Sequence, residues 1–246
     1  MPKSPLVIVG TGGSGTRAFA RLAEASGRSM GTHQNEANDA MALFHFADIW
    51  CCRVYPAWRD GKTVDRSQFG ADLEPCVRAH LRETDPGAPW GWKQPRSLYM
   101  LPALEAVYPN LLVLHVVRDG RDIAFGKQFR LSVAGDYAVP AAADREPLEV
   151  RLALMWAGPN GLAADFGERE LGDRYLRLRL EDLCAKPVET AERLIAFAGG
   201  DPVEPDRVRS IVETPPTLGR WREAVPELLA RVTDVAGGGL RRFGYA

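Results

Sequence analysis

Two short runs hold the residue types that bind oxyanions. The first is Gly10-Thr11-Gly12-Gly13-Ser14-Gly15-Thr16-Arg17. Glycines allow positive φ and a close backbone approach, so successive N–H groups can converge on one anion. A helix starting there adds partial positive charge at its first turn. Ser14 and Thr16 supply hydroxyl donors, and Arg17 supplies a full charge. The second run is Arg118-Asp119-Gly120-Arg121-Asp122, directly after the apolar segment LLVLHVV at 111–117. Asp119 suits a helix cap and Asp122 the turn that follows. Two arginines are then left at a helix start, where the dipole disfavours cations. Either the aspartates pair with them or an anion does, and the planar guanidinium fork suits phosphate oxygens.

Gly10 and Gly15 have the G-x-x-x-x-G spacing of a triphosphate loop. That loop continues with Lys and Ser/Thr, whereas Thr16 and Arg17 stand here. The phosphate-reaching lysine and the metal-binding hydroxyl are therefore out of place for ATP- and Mg²⁺-dependent chemistry. A dinucleotide turn matches through Gly10, Gly12 and Gly15, but no acid closes a second strand ~20 residues on. A tight glycine turn without a ligand stays open as the plain alternative.

The elements that must position these runs alternate in type. Residues 5–10 read as a buried strand and 16–27 as an amphipathic helix ended by Gly27. Helices are expected at 38–50, 67–83, 98–107, 119–130, 148–168, 187–198 and 221–236. Strands are expected at 90–93, 111–117 and 174–180, with a further short one running into THQNE at 32–36. The stretches 51–66 and 132–147 carry Pro, Gly and weak periodicity and read as mobile loops. Alternation of this kind implies an α/β fold: three layers, with a mostly parallel central sheet flanked by helices. On such sheets ligands sit at the carboxyl ends of strands, where both runs fall.

Length and composition restrict the rest. The 246 residues suit one domain, 1–246, and 46% apolar content supports a sizeable core. A net charge of −1 gives no global pull toward nucleic acid, so any anion site must be local. The first residues are too soon broken by glycine to read as a signal peptide, and no apolar run reaches the ~20 residues of a membrane span. Cys51, Cys52, Cys76 and Cys184 lack metal-ligand spacing, which reads as reduced thiols in a cytoplasmic protein. His80 reads as a surface residue. His115, mid-strand, reads as buried, and the Trp residues read as core.

Two anion sites at two strand-to-helix turns point to one ligand with two separated phosphates. GTGGSGTR after the first strand and VVRDGRDIAF after a later one resemble the phosphate motifs of the sulfotransferase superfamily that uses 3′-phosphoadenosine 5′-phosphosulfate (PAPS). WGWKQPRS at 90–97 is similar to the W-x-K-x-P-R segment of bacterial members. LRLEDLCAKPVETAERLIAFAG at 178–199, GRWRE at 219–223 and LRRFGY at 240–245 resemble later segments, in the family's order. The resemblance implies a fold like that of P-loop-containing nucleotide hydrolases. It also implies PAPS as co-substrate without a metal. Gly12, Gly13, Ser14, Gly15, Thr16 and Arg17 would hold the 5′-phosphosulfate, and Arg118 and Arg121 the 3′-phosphate.

Two departures stand out. Gly13 replaces the family's basic residue, whose task passes to Arg17 or Lys93. Gly126 replaces a serine, whose contact passes to the backbone, Lys127 or Arg220. For the general base, His33 is the first choice and Glu36 the second. Lys93 is a candidate for contacting the transferred sulfonate. The expected acceptor is a hydroxyl of a small-molecule or carbohydrate-type compound. An ATP-dependent, kinase-like phosphotransferase and a non-catalytic nucleotide-binding relative are the alternatives.

Overall fold

A computed structural model of the chain describes residues 4–126 and 138–245. Lys127, Tyr137 and the first part of the expected 132–147 loop lie outside the described residues.

Four parallel strands form one sheet in the order β2-β1-β3-β4, where β1 is Leu6–Val9, β2 Gly91–Lys93, β3 Leu112–Val117 and β4 Tyr175–Arg179. Strand β1 (LVIV) is buried at every position and pairs with both neighbours, Ile8 opposite Lys93 and Val9 opposite His115. A continuous β-branched run is what a strand covered on both faces requires. One face carries α1 (Thr16–Ala25), α8 (Pro187–Ala198) and α9 (Pro205–Ile211), whose Phe19, Leu22, Leu194 and Val208 pack on Leu6, Ile8 and Leu114. The other face carries α2 (Phe44–Arg59), α3 (Arg66–His80), α4 (Leu101–Val107), α6 (Leu148–Phe166) and α10 (Pro226–Arg242), packed on Val7, Val9 and Val113. The short helices α5 (Gly120–Ala124) and α7 (Leu180–Ala185) follow β3 and β4 directly. The central three-layer α/β expectation holds.

Local signals worked where side chains act alone. Helix α8 begins at Pro187 and is ended by Gly199 at φ 67°, as a proline start and a left-handed glycine stop dictate. Four readings need correction. The 51–66 stretch is a loop only at 60–65: α2 runs through it to Arg59 with Pro56 inside. Cys51, Val54 and Tyr55 are buried beside Trp50, and that stripe outweighs one lost backbone N–H. The strand expected before THQNE shrinks to a single bridge, Ser29 to Trp90. The last helix continues through Gly237-Gly238-Gly239 instead of stopping at 236. Trp156 packs so closely that a Cβ on Gly239 would stand 2.7 Å from its ring, so packing selects glycine there. His80 is also buried, with Nε2 at 2.9 Å from the Gly91 carbonyl. Among the described residues no helix is long and apolar enough to cross a membrane.

Candidate active site

The glycine loop leaves β1 at Gly10 and enters α1 at Thr16. Gly10 cannot carry a side chain, because a Cβ would stand 2.5 Å from the Val116 carbonyl on β3. Gly15 caps α1 in the left-handed region, at φ 83°, with Leu180 pressed against it. Between them Ser14 N–H donates to the Thr11 carbonyl at 3.0 Å, tightening the turn. Gly13 is exposed at the tip. The Ser14 hydroxyl is buried without a hydrogen-bond partner. A buried polar atom left unpaired is costly, and a donor aimed into an anion loop is a reason to leave it so.

The second turn touches the first. Arg118 is 4% exposed, and its Nη1 donates to the Gly13 carbonyl at 3.2 Å. Its Nη2 donates to the Thr217 carbonyl at 2.5 Å and to Asp122 Oδ2 at 2.9 Å. Asp122 also accepts from Gly219 N–H at 2.7 Å and, more weakly, from Trp221 N–H at 3.4 Å. One carboxylate thus ties α5 to the 217–221 segment. Arg220 donates Nε–H to the Thr217 carbonyl at 3.1 Å, and its Nη1 lies 3.5 Å from where a Cβ on Gly126 would stand. Burial, with the Arg118 charge beside it, lowers the Arg220 pKa. Arg118 and Arg220 therefore crowd together with Asp122 as counter-charge, which leaves the cluster one positive charge in excess.

Lys93 ends β2 beside the same loop and is 3% exposed. Its Nζ donates to Asp39 Oδ1 at 2.5 Å and to the Ala37 carbonyl at 2.7 Å. Burial pushes its pKa down, Asp39 opposes that, and the neighbouring Arg17 charge adds to the lowering. Arg17 is exposed and donates to the Glu36 carbonyl at 3.3 Å.

The structure thus gathers Gly12, Gly13, Ser14, Gly15, Thr16, Arg17, Lys93, Arg118 and Arg220 around one set of strand ends. Three others make no side-chain hydrogen bond to this set among the described residues. Arg121 pairs with Asp119 at 2.7 Å, donates to the Tyr245 carbonyl and lies over the Trp221 ring. It lines a cleft of about 440 Å³ that takes in Asp122, Gly219 and Trp221 but no residue of the glycine loop. His33 and Glu36 are exposed, and their side chains hold no hydrogen bond among the described residues. Sequence reading missed Asp39 and the Thr217–Gly219 backbone. It also missed the Gln94 side-chain nitrogen, buried and unpartnered beside Lys93. No local pattern marks these, because the chain fold alone brings them to the loop.

Beneath the loop, His115 is fully buried and bonded at 2.7 Å to both Tyr175 and Asn160. Burial drives its pKa down to about 4, with Arg177 and Arg242 acting the same way and Asn160 and Glu168 opposing. In the unfolded chain the ring titrates near ~6.5. Its contribution to stability is thus full above that pH and is lost as pH falls toward 4, by about 3 kcal/mol. His115→Gln, which does not titrate, is expected to lack that part of the decline. Chemical denaturation of both proteins from pH 7 to pH 4 checks it, and equal declines contradict it.

Comparison with known proteins adds three findings. The family described as the sulfotransferase family matches residues 5–205. Among solved structures, the chain is similar to the sulfotransferase domain of the Synechococcus PCC 7002 olefin synthase, at 16% identity and a TM-score of 0.60, covering 100% of this chain and 96% of that one. It is similar to the Alicyclobacillus acidocaldarius sulfotransferase at 17% identity and 0.56, covering 98% and 97%. It is also similar to sulfotransferase STF9 from Mycobacterium avium at 12% and 0.59, covering 98% and 77%. Comparison with curated proteins gives no match.

Proposed function

The chain belongs to the sulfotransferase family, and from that premise we propose that it moves the sulfuryl group of PAPS to a hydroxyl of a small-molecule acceptor. One observation carries the donor assignment: the hydrogen bond from Arg118 to the Gly13 carbonyl, which sets the two anion-binding turns edge to edge. A nucleotide with phosphates at both the 5′ and 3′ positions fits such a pair. A nucleoside triphosphate, with all its charge on one side of the sugar, does not use the second turn.

On this reading the loop N–H groups, the Ser14 hydroxyl and Thr16 hold the 5′-phosphosulfate. Arg118 sets the frame of the 3′-phosphate site, and Arg220 faces the phosphate across Gly126. The acceptor oxygen attacks sulfur in line, the S–O bond to the 5′-phosphate breaks, and 3′-phosphoadenosine 5′-phosphate (PAP) leaves with the electron pair. Charge grows on the bridging oxygen. Fixed donors aimed there lower the barrier, each by ~3 kcal/mol in favourable cases. On this reading Arg17 takes that task in place of the family's residue at Gly13, and Lys93 meets the transferred sulfonate.

The acceptor proton goes to a base at the 32–39 segment. His33 and Glu36 are open to solvent there, while Asp39 is already bound to Lys93. The acceptor stays at the level of a hydroxyl compound, small or sugar-bearing. Four free cysteines agree with a reducing compartment, the cytoplasm.

The test is transfer of radiolabelled sulfate from PAPS to a panel of phenols, alcohols and sugars, with and without EDTA. Transfer that EDTA leaves within about twofold is expected. Transfer of phosphate from ATP that EDTA abolishes would replace this reading with a kinase-like one. Tight PAP binding without any transfer would replace it with a non-catalytic one.

A further inference from the structure

We propose that a buried hydrogen-bonded chain, Tyr175–His115–Asn160–Thr11, sets the conformation of the glycine loop, with Asn160 as the positioning residue. The chain crosses three elements. Tyr175 opens β4, His115 lies mid-β3, Asn160 sits in α6 after Pro159, and Thr11 is the second residue of the loop. Each of its three links is 2.7 Å long. His115 and Asn160 are wholly buried and Thr11 is 2% exposed, so no solvent competes for the two inner bonds, while Tyr175 at the outer end is half-buried.

The direction of every proton follows from the inventory of groups. Asn160 Nδ2 has two hydrogens. One goes to the Trp156 carbonyl at 2.6 Å, the other to Thr11 Oγ1. Asn160 Oδ1 can then only accept, so His115 Nε2 must carry its hydrogen. His115 Nδ1 is therefore bare, and Tyr175 must donate its hydroxyl hydrogen to it. The network permits one histidine tautomer, and chains of this kind reinforce each bond in turn. They end on Thr11, whose own hydroxyl hydrogen finds no acceptor among the described residues. The loop is thus anchored from below at Thr11, and the Thr11 hydroxyl hydrogen and the Ser14 hydroxyl remain unspent in it.

Anchoring matters because a glycine-rich segment has many conformations to lose, and a loop already held in one of them binds its anion without that loss. That this anion is the phosphosulfate of the nucleotide rests on the function proposed above. The anchoring itself is tested without it. In the unliganded protein, ¹⁵N spectra are expected to show a hydrogen on His115 Nε2 and none on Nδ1. Thr11→Val, equal in shape and lacking the hydroxyl, is expected to speed amide hydrogen exchange at Gly12–Gly15 about tenfold while α8 is unchanged. Thr11→Ser is expected to restore the slow rate. PAP affinity is expected to fall at least fivefold in Thr11→Val and to recover in Thr11→Ser. The opposite tautomer, or unchanged loop exchange in Thr11→Val, overturns the inference. So does PAP binding by that variant as tight as in the parent. If the parent protein binds no PAP while loop exchange responds as stated, the chain stands and the proposed function falls.

Discussion

Replacing Lys93 with methionine is expected to lower turnover about 10²- to 10³-fold while the dissociation constant for PAP changes less than about threefold. The asymmetry follows from where Lys93 stands. It is 3% exposed at the end of β2, and two of its three ammonium hydrogens are committed to Asp39 and the Ala37 carbonyl. On the proposed reading the third meets a sulfonate oxygen of the donor as the transition state forms. PAP lacks the sulfonate, so on that reading its binding does not use this contact. One such donor is worth ~3 kcal/mol, which sets the size of the effect. Methionine keeps the length of the chain but leaves the Asp39 carboxylate and the Ala37 carbonyl without their donor, so stability is expected to fall by roughly 3–5 kcal/mol, and both measurements are made at a temperature where the variant is folded. Lys93→Arg keeps a cation and is expected to recover part of the rate. Steady-state kinetics beside calorimetry separates the two effects. A methionine variant that loses PAP binding and turnover in equal measure would place Lys93 in ground-state binding instead.

Removing Arg220 is expected to weaken PAP binding about 30- to 100-fold and to leave 5′-AMP binding unchanged. Arg220 is a better probe than Arg118. Arg118 and Asp122 form a buried pair, 5% and 1% exposed at the side chains, at 2.9 Å. Deleting one member of such a pair strands the other charge and costs roughly 3–5 kcal/mol of stability, so an Arg118→Ala result mixes binding with folding. Arg220 is partly exposed, gives one hydrogen bond to a backbone carbonyl and repels Arg118. Taking it away disturbs little and relieves that repulsion. On the proposed reading what is lost is a charge-assisted contact to the 3′-phosphate, ~2–3 kcal/mol. Because 5′-AMP has no 3′-phosphate, it does not register the change. A loss shared equally by both ligands would put Arg220 elsewhere.

The sheet and its two strand-to-helix turns were legible because their signals are local. LVIV and LLVLHVV are continuous apolar runs, and a glycine or an Asp cap follows each within a few residues. The helices around Pro56 and Gly237–Gly239 were misread for one shared reason. Proline and glycine are unfavourable in an isolated helix, but burial of Val54 and Tyr55, and the flat contact of Trp156 on Gly239, outweigh that cost in the folded protein. Tertiary packing decided both, and no window of sequence contains it. The placing of the glycine loop and of Lys93 at strand ends was legible from residue type and spacing. The pairing of Asp39 was not, since it joins Lys93 across 54 residues of chain. Nor was the engagement of Arg121 with Asp119 and Trp221.

The claim beneath the whole account is that two cationic turns hold opposite ends of one nucleotide. Calorimetric titration of the unaltered protein with PAP and with 5′-AMP, in the same buffer with EDTA present, addresses it most directly. The account predicts that PAP binds on the order of 10²-fold more tightly, the free energy of a charge-assisted contact from Arg220 in the frame that Arg118 sets. Equal affinity for the two nucleotides would mean that the turn at Arg118 serves structure alone, and the assignment of PAPS as donor would be contradicted.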